Sequence, residues 1–229
     1  MKAVWRWVAL VAMALVALQL FFVLRIAAMA VVAPQSTSFQ RSEIWAQLHG
    51  GGLHWHQQWL PYAQIAEPLK RAVIASEDDG FCQNDGVDWD ALHDVISRAG
   101  KNGPSRGAST ITMQTAKNLF LWPGRSAIRK GIEIGAALVL GQVWSKARTI
   151  EVYLNIAEWG DGVYGIEAAA QRYFHKKASQ LDAREAALLA TSLPNPIKRN
   201  AARPSPMQRI LAARIVARAG NGDELDCLP

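Results

Sequence analysis

The stretch SAIRKGIEIGAALVLGQV, residues 126–143, decides the fold because it has the pattern of one long helix. Ser126 is a suitable N-cap residue, and apolar residues follow at helical spacing without an interrupting proline. The 15 residues that follow Lys130 contain one ionisable residue, Glu133. A lone acid in such a helix either pairs with a cation or serves a function. Arg129 and Lys130, one turn earlier, are the available partners.

Further helical patterns flank this stretch, and each begins at a capping residue or a proline. We predict helices that begin at Pro68, after Asp88, after Ser109 (to Leu119), after Ser145 (to Leu154), after the capping box Asp182–Glu185 (to Leu193) and at Pro206. The predicted inward faces include Trp89, Ile96 and Ile210. Strand signals are scarce, with one weak alternation at residues 53–56. The sequence therefore predicts a mainly α domain.

Composition excludes several classes of protein. Half of the 229 residues are hydrophobic and 19% are charged, which excludes disorder, and two cysteines exclude a disulfide scaffold. The net charge of +6 suggests nucleic acid, but Lys2, Arg6 and Arg25 supply three of the 25 basic residues before the first acid, Glu43. The remaining 22 basic and 19 acidic residues carry a net charge of only +3. We therefore expect no nucleic-acid partner.

The N-terminal segment has the pattern of a membrane anchor. Residues 7–24 carry no charge, and a helix of that length spans roughly 27 Å, close to the thickness of a bilayer core. Lys2 and Arg6 precede this run, which predicts a cytoplasmic N-terminus and a remainder outside the cytoplasm, in the periplasm if the cell is bacterial. The alternative is a signal peptide cleaved at Ala28-Met29-Ala30. The anchor is favoured because the run exceeds the usual apolar length of signal peptides and Arg25 interrupts it before that site.

The chain divides into three parts on this interpretation. Residues 1–33 form a cytoplasmic tip and transmembrane anchor, residues 34–64 a linker and membrane-proximal segment, and residues 65–229 the mainly α domain. Within the second part, the polar residues 34–41 have the composition of a short linker.

Two polar segments of the domain contain residues that a purely structural role explains poorly. Glu77, Asp78 and Asp79 follow an apolar helix pattern, where the helix dipole disfavours acids. A solvated acidic loop is the alternative to a functional site. The hydroxyl-rich residues 107–114 precede Lys117, Asn118 and Arg125, and this loop-to-helix junction suits a phosphate or a sugar. An ordinary capped helix is the alternative there.

Three strings together resemble one known family. They are IASEDDGF at residues 74–81, GASTITMQ with AKNLFL at residues 107–121, and RKGIE at residues 129–133. Their order and spacing resemble the motifs of the peptidoglycan glycosyltransferases, glycosyltransferase family 51. The strings SK at 145–146, YLN at 153–155 and GIEAAA before YF at 173–174 extend the resemblance. It covers roughly residues 65–196, and because no transpeptidase domain follows in this chain, a monofunctional member is expected.

The resemblance implies a lysozyme-like α fold and a reaction that polymerises lipid II at the bacterial inner membrane. The growing glycan, held by its lipid pyrophosphate, would be the donor, and the GlcNAc 4-hydroxyl of lipid II the acceptor. Transfer would invert the α-linked donor to a β product. The implied partners are lipid II, the growing glycan strand, the membrane, and other proteins of cell-wall synthesis or division.

The resemblance also assigns roles to residues. Glu77 matches the catalytic base, and Glu133 matches the second catalytic glutamate, near the donor pyrophosphate. Lys117 and Arg125 match phosphate-contacting positions, where their charge would stabilise the leaving group. The remaining substrate-binding candidates are the polar residues of the same motifs: Asp78, Ser109, Thr110, Gln114, Asn118, Arg129 and Lys130.

Four positions depart from the family pattern. Asn84 stands where many members have histidine, Ala108 replaces a glycine, Met113 replaces a glutamine, and Gly141 stands where an acid is common. The departures spare both glutamates and the basic pair. They affect the expected hydrogen bonding around Glu77.

Two other functions are compatible with parts of the sequence. A lytic enzyme of the lysozyme-like fold would also use a glutamate, but it needs neither phosphate-binding cations nor a lipid-side anchor. A non-catalytic anchored glycan-binding protein would have no need of both glutamates at the family spacing. We expect no organic cofactor, and a Mg²⁺ or Mn²⁺ ion on the substrate pyrophosphate is chemically plausible without a dedicated ligand motif.

The two cysteines leave two possibilities open. Cys82 lies beside the expected active site, and Cys227 lies next to the C-terminus. In an oxidising compartment they can form one disulfide that ties the tail to the cleft. Alternatively, each is simply a buried thiol.

Overall fold

Helices form nearly all of the regular structure in the computed structural model, which describes residues 2–50, 57–98, 108–124, 126–220 and 227–229. The helices are α1 (Lys2–Met29), α2 (Ser38–Gly50), α3 (Glu67–Glu77), α4 (Trp89–Arg98), α5 (Ile111–Phe120), α6 (Ala127–Val143), α7 (Lys146–Ile156), α8 (Ile166–Phe174), α9 (Ala183–Ala190) and α10 (Pro206–Ala219). Two short strands, β1 (Glu158–Gly160) and β2 (Val163–Tyr164), pair antiparallel. The prediction of a mainly α fold is confirmed.

Residues 1–34 form one compact unit and residues 35–229 form another. In the first unit, α1 is 28 residues long and apolar enough to cross a membrane. The uncharged run at residues 7–24 lies inside this helix. Its length and composition are compatible with a single-pass anchor.

In the second unit, α3 packs against α9 and α10, while α5 packs against α6 and α7. The shared core includes Leu69, Phe81, Ile150, Leu154 and Trp159, none of which has any exposed surface. Burial of each such large apolar side chain stabilises the fold by about 1.5–3 kcal/mol. This core holds the C-terminal end of α3 next to α5, so it positions the residues of the acidic and hydroxyl-rich strings.

The helix starts mostly follow the predicted capping residues. The Ser126 hydroxyl accepts a hydrogen bond from the Arg129 N–H at 3.1 Å, and Ser145 caps α7 in the same way. Asp182 and Glu185 form the predicted capping box at the start of α9. These starts were predictable because a cap and its partner lie three residues apart.

One predicted cap is wrong. Thr110, not Ser109, caps α5: its Oγ1 accepts from the Met113 N–H at 3.0 Å and donates to the Gly86 carbonyl at 2.6 Å. Ser109 instead accepts a hydrogen bond from the Lys130 ammonium. The Thr110 hydroxyl caps the helix because the loop at Gly86 packs beside it. The sequence around Ser109 carries no information about that long-range contact.

Other predicted features also differ. The expected linker at residues 34–41 contains the start of α2, and helix α8 and the β1–β2 hairpin were not predicted. Helix α9 ends at Ala190 rather than Leu193, and turns follow it. The weak alternation at residues 53–56 lies outside the described residues.

Three predicted core side chains are exposed: Trp89 (55%), Ile96 (66%) and Ile210 (50%). The periodicity of α4 and α10 located an apolar stripe correctly, but the neighbouring elements cover only part of it. How wide a face is covered depends on tertiary packing and not on the period.

The segment 84–86 rests directly on α6. Gly86 adopts φ +103°, a conformation that favours glycine, and a Cβ there would lie 2.5 Å from the Ala137 carbonyl oxygen. A Cβ on Gly141 would meet the Asp85 carbonyl oxygen even more closely. Gly141, one of the four departures, therefore allows α6 to contact this segment, and an acidic side chain would not fit here.

A disulfide joins Cys82 to Cys227, with a Cα–Cα distance of 5.5 Å. Of the two possibilities that the sequence left open, the structure has the cross-link. It connects the turn after α3 with a residue beyond α10. The tail is therefore held next to the turn that contains Asp78 and Asp79.

Candidate active site

Glu77 lies at the point where α3 ends, because the next residue, Asp78, leaves helical geometry with φ −157° and ψ 77°. Asp78 is buried, and its carboxylate accepts hydrogen bonds from the Ile111 N–H at 2.9 Å and from the Asn84 amide at 3.1 Å. Asp78 thereby ties the end of α3 to the start of α5. Burial raises the pKa of Asp78 to about 6, although these hydrogen bonds oppose the rise.

Asn84, another of the four departures from the family pattern, has a clear structural role. Its Nδ2 group donates to Asp78 and to the Gly80 carbonyl, while its Oδ1 accepts from the Gly86 N–H at 3.0 Å. The Lys146 ammonium donates to the Asn84 carbonyl at 2.5 Å. One amide therefore closes the turn that follows the two acids.

A chain of hydrogen bonds positions the Glu77 carboxylate. The Gln114 side-chain NH₂ donates to Glu77 Oε2 at 2.9 Å, and the Tyr153 hydroxyl donates to Gln114 Oε1 at 3.1 Å. Tyr153 is 1% exposed, and burial raises its pKa well above the usual value, so the phenol stays protonated. Because the phenol donates to the amide oxygen, the amide presents its NH₂ group to Glu77.

Burial raises the pKa of Glu77 above its ordinary value. The hydrogen bond from Gln114 opposes this rise most, followed by the positive charge of Lys117 and, more weakly, by Arg199. A carboxylate whose pKa is raised is a stronger base than a solvated one. A rise in this direction suits a general base, which works best when its pKa approaches the operating pH.

Glu133 has different neighbours. It is 2% exposed, and its Oε1 lies 2.7 Å from the Lys130 ammonium, which also donates to the Ser109 hydroxyl at 2.8 Å. The pairing with Lys130 that the sequence suggested is therefore present, with the Glu133 carboxylate buried and the Lys130 side chain 34% exposed. Removal of Lys130 would leave the buried Glu133 carboxylate without its contacting cation, which is costly.

Lys117 interacts electrostatically with both glutamates. Burial lowers its pKa, and the nearby charges of Arg129 and Lys130 lower it further, while Glu133 and Glu77 oppose this effect. Lys117 thus lies within electrostatic range of both acids and of two further cations. Three cations and two carboxylates leave this part of the site with an excess positive charge.

Arg129 adds an unusual feature to this group. It is 9% exposed, and its Nε and Nη1 atoms are buried without an acceptor among the described residues. A buried donor without a partner is costly, and such groups in native proteins call for an explanation. An anionic oxygen placed next to Arg129 would supply the missing acceptor.

The remaining candidates divide into three kinds. Thr110 is buried as the cap of α5, and Asn118 lines a cavity together with Gln114, Lys117 and Tyr153. Arg125 lies outside the described residues. Of the two departures in this motif, Ala108 lines the cavity beside Glu77, and Met113 is a fully buried core residue.

The described residues do not form a metal centre, since no group of three or more His, Cys, Asp or Glu side chains among them is arranged to hold an ion. The cations around Lys117 would repel a resident metal. The described site combines a carboxylate that contacts a neutral amide, a carboxylate that contacts an ammonium group, and a group of fixed positive charges.

Two residues near Glu77 were not among the predicted site residues. Tyr153 belonged to a string of the resemblance without an assigned role, and Arg199 lay in a stretch that had none. Each comes from an element distant in sequence from α3. A buried tyrosine in an apolar helix carries no local signal of its hydrogen-bond partner.

Comparison with known proteins matches this chain to one family. The family model described as "Transglycosylase" matches residues 44–219. A biosynthetic peptidoglycan transglycosylase of Brucella suis is 58% identical over 163 residues, which cover 71% of this chain and 72% of that protein. Proteins of the same name from Nitrobacter hamburgensis (48% over 185 residues, 80% and 81% of the two chains) and Agrobacterium fabrum (51% over 173 residues, 75% and 76%) are also similar.

Proposed function

The chain belongs to the transglycosylase family and is a peptidoglycan glycosyltransferase of cell-wall synthesis, and from this premise we propose that it polymerises lipid II by inverting transfer. In this proposal, the growing glycan on its lipid pyrophosphate is the donor. The GlcNAc 4-hydroxyl of lipid II is the acceptor.

Glu77 is the proposed general base. It takes the proton of the acceptor 4-hydroxyl as that oxygen forms a bond to the anomeric carbon of the donor. The bond from that carbon to the pyrophosphate oxygen breaks on the opposite face, so an α-linked donor gives a β-linked product. The hydrogen bond from Gln114 and the raised pKa of Glu77 support this role.

Lys117, Arg129 and Lys130 are the proposed ligands of the leaving pyrophosphate, and Arg125 is the fourth candidate. The observation that carries the proposal is the pair of buried Arg129 donors that lack an acceptor among the described residues. Glu133 holds the Lys130 ammonium in place and balances part of the positive charge. Fixed cations stabilise charge that develops as the leaving group departs.

A divalent cation would act on the substrate side only. Mg²⁺ or Mn²⁺ would arrive bound to the pyrophosphate, and neither the proton transfer to Glu77 nor the cleavage of the donor bond requires it. The proposed transfer uses no organic cofactor.

The same basic group distinguishes the transferase from a lytic enzyme. Hydrolysis of a finished glycan has no phosphate leaving group, so it gives no reason for a group of cations in which Arg129 keeps buried donors without an acceptor among the described residues. The direct experiment incubates the purified full-length protein with lipid II. Formation of a lysozyme-sensitive polymer is expected, whereas degradation of finished peptidoglycan without polymer formation would support the lytic alternative.

The proposed location is the bacterial inner membrane, with α1 as a single-pass anchor and the catalytic domain in the periplasm. This orientation would place the site on the side where lipid-linked glycan is exported. A reporter fused after Pro229 should be active only if it folds in the periplasm. Activity of a reporter that works only in the cytoplasm would contradict the orientation. Other proteins of cell-wall synthesis or division remain proposed partners.

A further inference from the structure

An open groove of about 920 Å³ lies between α10 and the segment that follows α9. Three arginines, Arg199, Arg214 and Arg218, line it together with the apolar side chains of Pro194, Leu211 and Ile215. The described residues that line the groove include no acid. It therefore combines concentrated positive charge with apolar surface, which suits a ligand that is partly anionic and partly aliphatic.

Two of the three guanidinium groups are held in place by the protein. Arg199 Nη1 donates to the Thr191 carbonyl at 2.8 Å, and Arg218 Nη1 contacts the Asp79 carboxylate at 3.1 Å. Each guanidinium has five N–H donors, so most of them remain available. Arg214 makes no hydrogen bond or ion pair within the described part of the chain. Positioned guanidinium groups lose less conformational freedom when they bind a carboxylate than mobile ones do.

The groove adjoins the proposed base. Ser76, the residue before Glu77, is part of its lining, and the positive charge of Arg199 acts on the pKa of Glu77. Asp79, the partner of Arg218, is two residues after Glu77. The groove uses α10 and the segment after α9, whereas Lys117, Lys130 and Arg129 belong to α5 and α6. Glu77 is therefore influenced by one cation of each group, Lys117 and Arg199, and the leaving pyrophosphate accounts for only the group that contains Lys117.

We infer that this groove binds the carboxylates of the peptide carried by the acceptor lipid II, an inference that rests on the proposed function. The acceptor hydroxyl must reach Glu77, and the peptide-bearing sugar is the next one in the same disaccharide. Its peptide has free carboxylates separated by aliphatic side chains. Guanidinium groups match carboxylates in a bidentate geometry, and the apolar lining matches the aliphatic portions. The groove is also larger than an isolated phosphate group requires.

The test compares two acceptor substrates: lipid II and lipid II whose peptide carboxylates are amidated. Wild-type protein should use the free-carboxylate form with about tenfold higher kcat/KM, the size expected for one hydrogen-bonded charge pair. Arg214→Gln should lose this preference, mainly through a raised KM for the free-carboxylate form. Arg209→Gln, which removes an exposed arginine of the same helix outside the groove, should keep it.

The outcomes separate the possible sources of the anion. If Arg214→Gln slows both substrates by the same factor, the groove binds the acceptor pyrophosphate and the peptide assignment is wrong. Equal use of both substrates by the wild-type protein would also overturn it. If the wild-type protein forms no polymer from either substrate, the proposed function itself fails. Melting temperatures equal to that of the wild type would establish that both variants are folded.

Discussion

Glu77 and Glu133 are both enclosed carboxylates on helices, but their neighbours differ in kind. Glu77 contacts a neutral amide at 2.9 Å, whereas Glu133 contacts an ammonium group at 2.7 Å. Burial without a contacting cation raises the pKa of Glu77 and prepares it to accept a proton. A carboxylate paired with an ammonium group holds that cation in place instead. The comparison teaches that the neighbours of a glutamate, and not its residue type, suit it either to accept a proton or to hold a cation.

The largest effect should come from Glu77→Gln, because the amide fills the same space but cannot take a proton. We expect polymer formation to fall by about 10²–10⁴-fold, while binding of lipid II and the melting temperature change little. Glu67→Gln, at the exposed start of the same helix, is the control and should stay near the wild-type rate. A folded Glu77→Gln protein with wild-type turnover would show that Glu77 is not the general base.

Lys117→Ala tests the cation that both glutamates share. Removal of a fixed positive charge from the leaving-group side should lower turnover by about 10²–10³-fold without unfolding the domain. Lys177→Ala, an exposed lysine beyond α8, should behave like the wild type. Normal polymer formation by folded Lys117→Ala protein would refute a role on phosphate. Arg125→Ala is expected to impair polymer formation in the same direction.

Glu133→Gln should have a smaller effect on turnover, since Glu133 acts through Lys130. The loss of one charged hydrogen bond predicts roughly a tenfold decrease. The decrease should persist across the pH range, because no proton transfer is removed. If turnover per folded molecule is normal and only the melting temperature falls, Glu133 is a structural ion-pair partner and has no role in the reaction.

Tyr153→Phe should change the pH profile more than the maximal rate. Without the phenol, Gln114 is no longer held toward Glu77, and the hydrogen bond that lowers the pKa of Glu77 weakens. The base must be ionised to act, so activity is lost as pH falls through this pKa. The acidic limb of kcat/KM should therefore move to higher pH, with a decrease of a few-fold at neutral pH.

Tyr173→Phe is the matched control for this prediction. The Tyr173 hydroxyl also donates a hydrogen bond, at 3.1 Å to the Trp159 carbonyl, but it is not part of the Glu77 contacts. Its pH profile should match that of the wild type. An unchanged acidic limb in Tyr153→Phe would mean that Gln114 keeps its orientation without the tyrosine.

Loss of the Cys82–Cys227 disulfide should have the smallest effect on turnover. The cross-link closes a loop of 145 residues, and such bonds typically stabilise a fold by about 2–4 kcal/mol. The Cys82→Ser, Cys227→Ser double variant should melt roughly 5–15 °C lower and retain turnover at low temperature. Reductant should lower the melting temperature of the wild type to the same value. A large loss of turnover at low temperature would show that the tail is required to position the Glu77 segment.

The sequence predicted the parts of the fold that depend on near neighbours. The caps at Ser126, Ser145 and Asp182 were predictable because each forms within three residues. The cap at Ser109 was wrong because a residue far along the chain, Gly86, engages Thr110 instead. Helix α8 and the β1–β2 hairpin were missed, since their short patterns acquire a preferred state only through packing.

The amino-acid sequence by itself determined the mainly α fold and the anchor-like helix, which follow from hydrophobic period and capping residues that act over short distances along the chain. The resemblance of its motifs to a known family then singled out both glutamates and the cations near them as site candidates. Only the tertiary structure decided that Tyr153 fixes Gln114 against Glu77, that Arg129 is buried without an acceptor among the described residues, and that Arg199 acts on Glu77. Burial and charge depend on residues brought together from distant elements, and the pattern within any one helix does not contain that information.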